Sequence, residues 1–311
     1  MAEPLILPNP LTGGETRVDR VLLDAGGNVA EDAPLLLVLT AVHGNEPSGP
    51  LAAAAVAEAV RRNEVALRGR VVMLACNPPA LREDARYIDE DMNRAFDADR
   101  LARDDDSNEL RQLREVVPLI DSLAAGWPGP RFFLDCHSVS SESVPFASVL
   151  SDPDCVALAE SVPAHAVVGA GDHLSGVSDL FLRDRGWVGF TFEAGQHHEL
   201  ATLEAQEAMI WTVMRRAGCV AETPDRREAR LFRVLLDGPR RFRVAEQYLV
   251  RHPGRFVMRP GYFNFRRVAE GEPLATDGGE EVRCPRDGRI YMPLYQRLGA
   301  VGFTIVTERG D

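Results

Sequence analysis

Between residues 35 and 215, short apolar runs alternate with longer stretches of helical character. The apolar runs are predicted to be strands at Leu35–Thr40, Arg70–Ala75, Arg131–Asp135, Ala166–Val168 and Gly189–Phe192. Helices are predicted at Pro50–Arg62, Asn108–Leu123 and Leu200–Ala217. Strands that alternate with helices favour an α/β fold with a mixed, largely parallel sheet flanked by helices. In such sheets, sites form beyond the carboxyl ends of the strands.

The character of the chain changes after Gly218, where Pro, Gly, Arg and aromatic residues become frequent. Short strands are predicted at Phe232–Leu236, Arg241–Val244, Gly261–Phe265, Glu281–Arg283 and Ile290–Met292. Turn signals such as Asp277-Gly278-Gly279 separate some of these strands. We therefore expect two domains: an α/β domain over residues 1–220 and a smaller β-rich domain over residues 221–311.

Composition excludes several classes of function. The formal net charge of -12 disfavours nonspecific binding to nucleic acid or to an anionic membrane. No apolar run approaches the ~20 residues of a membrane span, and the first residues lack the features of a signal peptide. The five cysteines are scattered without C-x-x-C spacing, which fits a reducing compartment. We expect a cytoplasmic protein.

Side chains with the chemistry of metal ligands follow two predicted strands. His43 and Glu46 come soon after the first apolar run, and His137 follows the third. Taken singly, the first two could be polar turn residues, and His137 could be a hydrogen-bonded core histidine. Together, two imidazoles and one carboxylate at the same edge of a sheet favour a zinc ion, one per chain. Three protein ligands leave a fourth position open, as catalytic zinc sites require.

A second group of polar residues occupies the segment 77–96. Arg94 lies next to Asn93, and a guanidinium and an amide together can bind a carboxylate by forked hydrogen bonds. Arg86 could place a second cation near a developing oxyanion. A solvated charged loop is the simpler interpretation, and we keep it for Arg82. Asp91 is a candidate to brace one of the two functional arginines.

Glu193 directly follows the predicted strand Gly189–Phe192. It could be a surface carboxylate at a strand end. Alternatively, it is a general base for an attacking water. Burial would raise its pKa and a nearby metal would lower it, so the sequence leaves the net shift open.

Four short motifs occur in an order that is typical of one family: HGNE at 43–46, RYIDEDMNR at 86–94, LDCHS at 134–138 and FEAG at 192–195. The chain resembles the succinylglutamate desuccinylase/aspartoacylase family, a branch of the zinc carboxypeptidase-like hydrolases. The resemblance covers roughly residues 35 to 200. It implies zinc on His43, Glu46 and His137. It also implies that Glu193 serves as general base and later as acid.

The resemblance further implies a role for the arginines and for the C-terminal region. Arg86 would polarise the scissile carbonyl, while Asn93 and Arg94 would bind the substrate carboxylate. A smaller β domain at the C-terminus would partly cover the cleft, and DGRIYMPLYQ at 287–296 resembles its sequence in bacterial members. Additional substrate contacts are expected from an Arg and a Tyr, for which the candidates are Arg183, Tyr291 and Tyr295; packing is the alternative role for at least one of the tyrosines. His197 and His198 could be mistaken for zinc ligands, but a role at the rim of the site or in substrate binding is expected.

The function predicted from these residues is that of a zinc-dependent amidohydrolase. It would remove an acyl group, such as acetyl or succinyl, from a small anionic N-acyl amino acid. One alternative is a zinc carboxypeptidase, which uses the same chemistry on small peptides. Another is a noncatalytic binding protein on the same scaffold. The sequence leaves the acyl group, the amino acid and the oligomeric state open.

Overall fold

The computed structural model describes residues 4–27, 30, 32–104, 106–221, 240–295 and 299–308. The strands in these segments are β1 (Leu5–Asn9), β2 (Gly14–Val18), β3 (Val21–Ala25), β4 (Leu35–Thr40), β5 (Arg70–Ala75), β6 (Arg131–Val139), β7 (Phe146–Val149), β8 (His165–Val168), β9 (Val188–Gln196), β10 (Arg241–Leu249), β11 (Phe256–Met258), β12 (Arg267–Val268), β13 (Pro273–Asp277), β14 (Glu280–Arg283), β15 (Gly288–Tyr291) and β16 (Val301–Glu308). The helices are α1 (Ser48–Arg61), α2 (Pro78–Arg82), α3 (Ala98–Leu101), α4 (Asn108–Ala124), α5 (Pro153–Glu160), α6 (Ser178–Arg183) and α7 (Leu200–Arg216), with a 3₁₀ turn at Met92–Arg94.

The central sheet has the strand order β3-β5-β4-β6-β9-β7-β8. Strands β5, β4, β6 and β9 are parallel to one another, and β7 is parallel to β8. The β3–β5 and β9–β7 pairs are antiparallel. The predicted mixed, largely parallel sheet is therefore confirmed. The carboxyl ends of β4, β6 and β9 meet at one edge, because these three strands are parallel neighbours.

Helices cover both faces of this sheet. On β4, Leu36 and Val38 face a core that also contains residues of α1 and α7. Leu35, Leu37 and Leu39 point the other way, into a core shared with α4. Every residue of β4 is buried, which explains why its sequence is a continuous apolar run rather than an alternating one. None of the described helices is long and apolar enough to cross a membrane.

The C-terminal strands continue the same sheet. Strand β10 pairs in parallel with β8, and β16, β15 and β12 follow in antiparallel order. Strands β11, β13 and β14 form a separate three-stranded sheet, in which the Gly278-Gly279 turn joins β13 to β14. The β-rich character of this region agrees with the prediction. The predicted strand Phe232–Leu236 lies outside the described residues, and the domain boundary near residue 220 stays a prediction.

The structure extends two strands beyond their predicted ends. Strand β6 continues to Val139 and β9 continues to Gln196, so His137 and Glu193 lie within strands rather than after them. The parallel ladder between these strands pairs Asp135 with Thr191 and His137 with Glu193. Hydrogen bonding between the two strands therefore extends them over polar residues. A prediction based on apolar residues alone ends both strands too early.

One predicted strand was wrong. Gly261–Phe265 forms turns instead of a strand. Phe265 has a φ of 67°, a left-handed conformation that interrupts extended backbone. Asn264 accepts a hydrogen bond from Met292 N through Oδ1 at 2.6 Å. Met292 also has a positive φ, of 49°, which ends β15 at Tyr291.

Candidate metal centre and active site

A tight turn beyond β4 brings two of the proposed ligands together. Ala41 has a φ of 50°, a conformation that few non-glycine residues adopt. Gly44 packs so closely that a Cβ there would lie 2.0 Å from the carbonyl carbon of Ala80. A side chain at position 44 would displace the turn, so this glycine allows His43 and Glu46 to face the same point.

His43, Glu46 and His137 converge at the carboxyl ends of β4 and β6. One ligand atom from each residue lies within 4.8 Å of the other two. The Glu46 carboxylate stands between the imidazoles, with Oε1 2.9 Å from His43 Nδ1 and Oε2 3.2 Å from His137 Nδ1. All three side chains are at most 4% exposed. The structure thus places the predicted ligands around one point with both Nδ1 atoms facing inward.

The outer nitrogen of each histidine faces a second carboxylate. His43 Nε2 is 3.0 Å from Asp91 Oδ1, and His137 Nε2 is 3.1 Å from Asp135 Oδ2. Ser178 Oγ donates a hydrogen bond to the same Asp135 oxygen. In metal sites, a carboxylate on the remote nitrogen fixes the imidazole tautomer and leaves the other nitrogen free for the ion.

The residues present fit a zinc ion. Two imidazole nitrogens and one carboxylate are the ligands of many catalytic zinc sites. The carboxylates of Glu46 and Asp135 are buried beside the two imidazoles, and Asp135 Oδ1 has no hydrogen-bond partner. Buried negative charge is costly without a compensating cation. A divalent cation at the histidine–glutamate cluster would provide that compensation.

Glu193 lies on β9 beside His137 on β6, as a paired position of the parallel ladder. Its side chain is buried, and burial raises its pKa to about 8. The positive charges of His137 and Arg86 oppose this rise, whereas the Glu46 carboxylate adds to it. A general base works best when its pKa lies close to the pH at which the enzyme operates, and the raised pKa of Glu193 meets this requirement.

Arg86 reaches the centre of the site. Its Nη2 donates to Asp91 Oδ2 at 2.8 Å, and its Nη1 lies 4.0 Å from Glu46 Oε1. Asp91 therefore braces Arg86 with one oxygen and His43 with the other. This double contact ties the position of the arginine to that of a proposed metal ligand.

Asn93 and Arg94 follow on the 3₁₀ turn. Asn93 Oδ1 accepts a hydrogen bond from Ser178 N at 2.9 Å, so its Nδ2 is the group available to donate to a ligand. Arg94 is exposed, and its Nη1 donates to the Asn93 carbonyl at 2.6 Å. Asn93 N also donates to Asp91 Oδ1 at 2.9 Å, so the turn is tied to the carboxylate that contacts His43. The Arg94 guanidinium contacts the backbone of Asn93, and a joint role of the two side chains in binding a carboxylate stays a prediction.

Three other predicted contacts lie in different surroundings. Arg183 donates two hydrogen bonds to its neighbour Asp184, at 2.9 and 2.7 Å. The Tyr295 hydroxyl donates to the Arg259 carbonyl, so this side chain supports the fold of the C-terminal region. Tyr291 is buried and packs edge-on against Phe146, with 5.2 Å between ring centroids. Phe146 is the partner of Glu193 in the sheet, which places Tyr291 one residue away from the proposed base. A role for these three residues in substrate binding stays a prediction.

The two adjacent histidines after β9 differ in orientation. His197 Nδ1 lies 2.7 Å from Ser138 Oγ, and Ser138 N donates to Glu46 Oε2 at 2.9 Å. Burial lowers the pKa of His197, so its neutral form is favoured. His198 has a φ of 63° and a side chain 55% exposed, 3.8 Å from Asp84. His197 thus borders the site, whereas His198 faces outward.

Two residues near the site were missed from the sequence. Gln206 Nε2 donates to the His137 carbonyl at 2.7 Å. Several polar residues of α7 are buried, and nothing in the sequence distinguishes Gln206 from Thr202, Glu207 or Thr212. Glu109 is fully buried and contacts the loop that carries Arg86 and Asp91. From the sequence, Glu109 was expected only to interact favourably with the helix dipole, because it lies in the first turn of a helix.

Comparison with known sequences identifies the group to which this chain is related. The profile described as the succinylglutamate desuccinylase/aspartoacylase catalytic domain matches residues 32–215, more than half of the 311 residues. The chain belongs to this family. The family predicted from the four short motifs is therefore confirmed, and the matched range contains every proposed ligand as well as Glu193.

Individual family members show the extent of the similarity. Succinylglutamate desuccinylase of Erwinia tasmaniensis is 29% identical over 262 residues, covering 79% of this chain and 75% of that protein. The crystal structure of succinylglutamate desuccinylase from Vibrio cholerae superposes with a TM-score of 0.71 at 17% identity, covering 98% of this chain and 90% of that one. The product-bound ectoine utilization protein EutE (DoeB) of Ruegeria pomeroyi gives 0.66 at 21% identity, covering 98% and 94%. At these identities the structures establish a shared fold.

Proposed function

We propose that this protein is a zinc-dependent amidohydrolase that removes an acyl group from an N-acyl amino acid. The observation that carries the proposal is the His43–Glu46–His137 cluster with Glu193 beside it on the neighbouring strand. A buried carboxylate with a raised pKa has no evident structural use there, because its Oε2 lacks a hydrogen-bond partner. Membership of a family of hydrolytic enzymes supports the same reading.

Zinc would be held by the Nδ1 atoms of His43 and His137 and by the Glu46 carboxylate. When bound, it would supply Lewis acidity that polarises the scissile carbonyl and acidifies the attacking water. Asp91 and Asp135 would keep both imidazoles in the tautomer that presents Nδ1. Metal binding would therefore involve five side chains of the protein, three as ligands and two as supporting carboxylates.

The chemistry then falls to Glu193 and Arg86. Glu193 accepts a proton from water as the water oxygen bonds to the amide carbon. Arg86 donates hydrogen bonds to the oxyanion that develops on the carbonyl oxygen. Glu193 returns the proton to the nitrogen, the carbon–nitrogen bond breaks, and the products are a carboxylate and a free amino acid.

Asn93 and Arg94 are the proposed binding groups for the α-carboxylate of the substrate. What supports the proposal is that both residues are close in sequence to Arg86 and that Asn93 N donates to Asp91, the carboxylate that contacts His43. Relatives named succinylglutamate desuccinylase indicate that N-succinyl amino acids belong among the substrates to be tested, together with N-acetyl analogues. Arg183, which pairs with Asp184, is a weaker candidate for a further contact.

We also propose that residues 221–311 form a second domain that partly covers this cleft. Asn264 Nδ2 donates to Ser143 Oγ at 3.0 Å, in the loop that follows β6. Tyr291 packs against Phe146 at the end of the same loop. These contacts place the C-terminal region next to the segment that leads away from His137, where a cover would limit the size of a substrate.

Two measurements test the proposed function. Metal analysis of protein purified without chelator should find about one zinc per chain. A panel of N-acetyl, N-succinyl and longer N-acyl amino acids should include a substrate, and dipeptides should be hydrolysed more slowly. Preference for dipeptides would instead indicate a carboxypeptidase. A metal-loaded protein that hydrolyses no member of the panel would contradict the proposal and leave the binding-protein alternative.

A further inference from the structure

Glu109 is a fully buried carboxylate that accepts five hydrogen bonds. Oε1 accepts three of them, at 2.9, 3.0 and 3.0 Å, and Oε2 accepts two, at 3.0 and 3.2 Å. The donors are the backbone N–H groups of Ile88, Asp89 and Glu90 and the side-chain amides of Asn77 and Asn108. Three consecutive backbone amides of one loop therefore point at a single side chain.

The loop also holds the start of α4 in return. Asp89 Oδ2 accepts from Asn108 N at 2.6 Å, and Glu90 Oε1 accepts from Ser107 Oγ at 2.6 Å. We call the loop 86–91 with residues 107–109 the loop clamp. Carboxylates of residues 86–91 accept hydrogen bonds from residues 107–109, and the Glu109 carboxylate accepts hydrogen bonds from residues 88–90. The loop therefore cannot shift without breaking several charge-assisted hydrogen bonds.

Glu109 is not needed to cap α4. Ser107 already provides the cap, because its Oγ accepts a hydrogen bond from Leu110 N at 3.2 Å. The Glu109 side chain is instead aimed at the loop. Burial raises the pKa of Glu109, but the hydrogen bonds from Ile88 N and the neighbouring asparagines lower it more, so the group is charged at neutral pH.

Both ends of the loop in the loop clamp contact the candidate site. Arg86 and Asp91 are the first and last residues of the loop, and both contact the histidine–glutamate cluster. The Arg86 carbonyl also accepts from Gly44 N at 3.2 Å, which ties the loop to the turn between two of the ligands. A displacement of residues 88–90 would therefore move the oxyanion donor and the carboxylate behind His43 together.

We propose that Glu109 is a positioning residue that sets the location of Arg86 and, through Asp91, the orientation of His43. The proposal rests on the proposed function for its kinetic consequences, but its structural consequences can be measured separately. A carboxylate is required because all five partners donate. In Glu109→Gln, whichever way the amide turns, an NH₂ group replaces one oxygen and loses at least two of the five hydrogen bonds.

The main experiment compares Glu109→Gln with Asp277→Asn in full-length, metal-loaded protein. Asp277 is also a fully buried carboxylate that accepts backbone amides, from Arg251 and His252, but it lies in the C-terminal sheet. Hydrogen exchange of peptides covering residues 86–94 should accelerate by about tenfold or more in Glu109→Gln and stay at the wild-type rate in Asp277→Asn. This arm does not depend on whether the substrate has been found.

The kinetic arm uses a double-mutant cycle. A misplacement of about 1 Å can cost roughly 100-fold in rate, so Glu109→Gln should lower kcat by about 10- to 100-fold with little change in KM. In an Arg86→Ala background, the same change should cost less, because one of the two groups that Glu109 positions is absent. Additive losses in the two backgrounds would overturn the proposal.

Two further outcomes decide the matter. If Glu109→Gln fails to fold, Glu109→Asp keeps the charge and withdraws it by one methylene, and it should show smaller changes of the same kind. Unchanged exchange at 86–94 in a variant that folds would overturn the positioning role, as would an equal acceleration throughout the chain. If the wild type hydrolyses nothing, the proposed function fails, while the exchange arm still tests the loop clamp.

Discussion

In the α/β region, Asp135 Oδ1 and Glu193 Oε2 are buried without a hydrogen-bond partner, whereas no buried side-chain nitrogen or oxygen lacks one in residues 240–295 and 299–308. The buried carboxylate of the C-terminal region, Asp277, accepts hydrogen bonds from Tyr248 Oη and from two backbone amides. Unpaired buried polar groups are costly and rare. Other buried polar atoms of the α/β region, such as Trp187 Nε1, also lack a partner. Asp135 and Glu193 differ from them because their unpaired atoms are carboxylate oxygens that lie beside the histidine–glutamate cluster, where a cation could compensate them.

The strongest test of this difference between the two regions is to remove a proposed metal ligand. His43→Ala and His137→Ala should each abolish turnover, because a three-residue donor set cannot lose a member and hold the ion. Loss of a supporting carboxylate typically costs about 10- to 100-fold in metal affinity, and loss of a ligand should cost more. Metal content measured after dialysis checks this. Full occupancy in either variant would show that the unpaired atoms serve another purpose.

The next largest effect is expected from Glu193→Gln. The amide cannot accept a proton, so kcat should fall by about 100- to 10,000-fold while zinc is retained. Thermal stability should not fall, since the variant replaces a buried carboxyl group that the fold leaves unpaired. Parallel steady-state kinetics, metal analysis and thermal melts provide the measurement. A variant that is much less stable yet still active would reverse the interpretation of this residue.

Arg86 and Arg94 should separate into two kinetic classes. Arg86→Ala removes a donor to the developing oxyanion, so kcat should fall by about 100- to 1000-fold. Arg94→Ala removes a contact made equally in the ground and transition states, so KM should rise by about 10- to 100-fold with kcat nearly kept. Amidating the substrate's α-carboxylate should reproduce the second pattern in the wild type. Equal hydrolysis of free and amidated substrate would remove the carboxylate contact from the mechanism.

The smallest effect is expected from Asp277→Asn, which should lower Tm by about 2–5 °C and leave kcat unchanged. Although burial alone would raise it, hydrogen bonds from Arg251 N and Tyr248 hold the pKa of Asp277 below its ordinary value. Its stabilisation is therefore full above the unfolded-state pKa of about 3.9 and is lost as pH falls through the lower folded-state value. Melts from pH 7 to 3 should show the difference between variant and wild type shrinking only at the acidic end.

The sequence predicted those strands whose local pattern of apolar residues matches their burial in the folded protein. Strands Leu35–Thr40 and Arg70–Ala75 were predicted with the bounds that the structure has, because both are buried on two faces and read as unbroken apolar runs. The three proposed ligands were predicted because metal binding requires particular residue types. The structure brings them to one point.

Other features depend on contacts between distant segments and leave little trace in sequence. The antiparallel strand β7 reverses the direction of the sheet through its pairing with β9, and no local pattern encodes a partner. The contacts of Glu109 with residues 88–90 join positions that are 19 to 21 residues apart. Phe265 adopts a left-handed conformation within an aromatic cluster with Phe146 and Phe242, which overrides its preference for a strand.

His137 and Glu193 sit opposite each other on hydrogen-bonded parallel strands, so their backbones are held at the interstrand distance of about 4.8 Å. That distance is a property of any β-ladder and does not depend on loop length. The loops that follow β6 and β9, and the C-terminal turns that touch them, can therefore acquire insertions or substitutions without separating the proposed base from the proposed metal ligand. If the proposed function holds, such a scaffold lets the substrate range diverge while the hydrolytic chemistry stays constant.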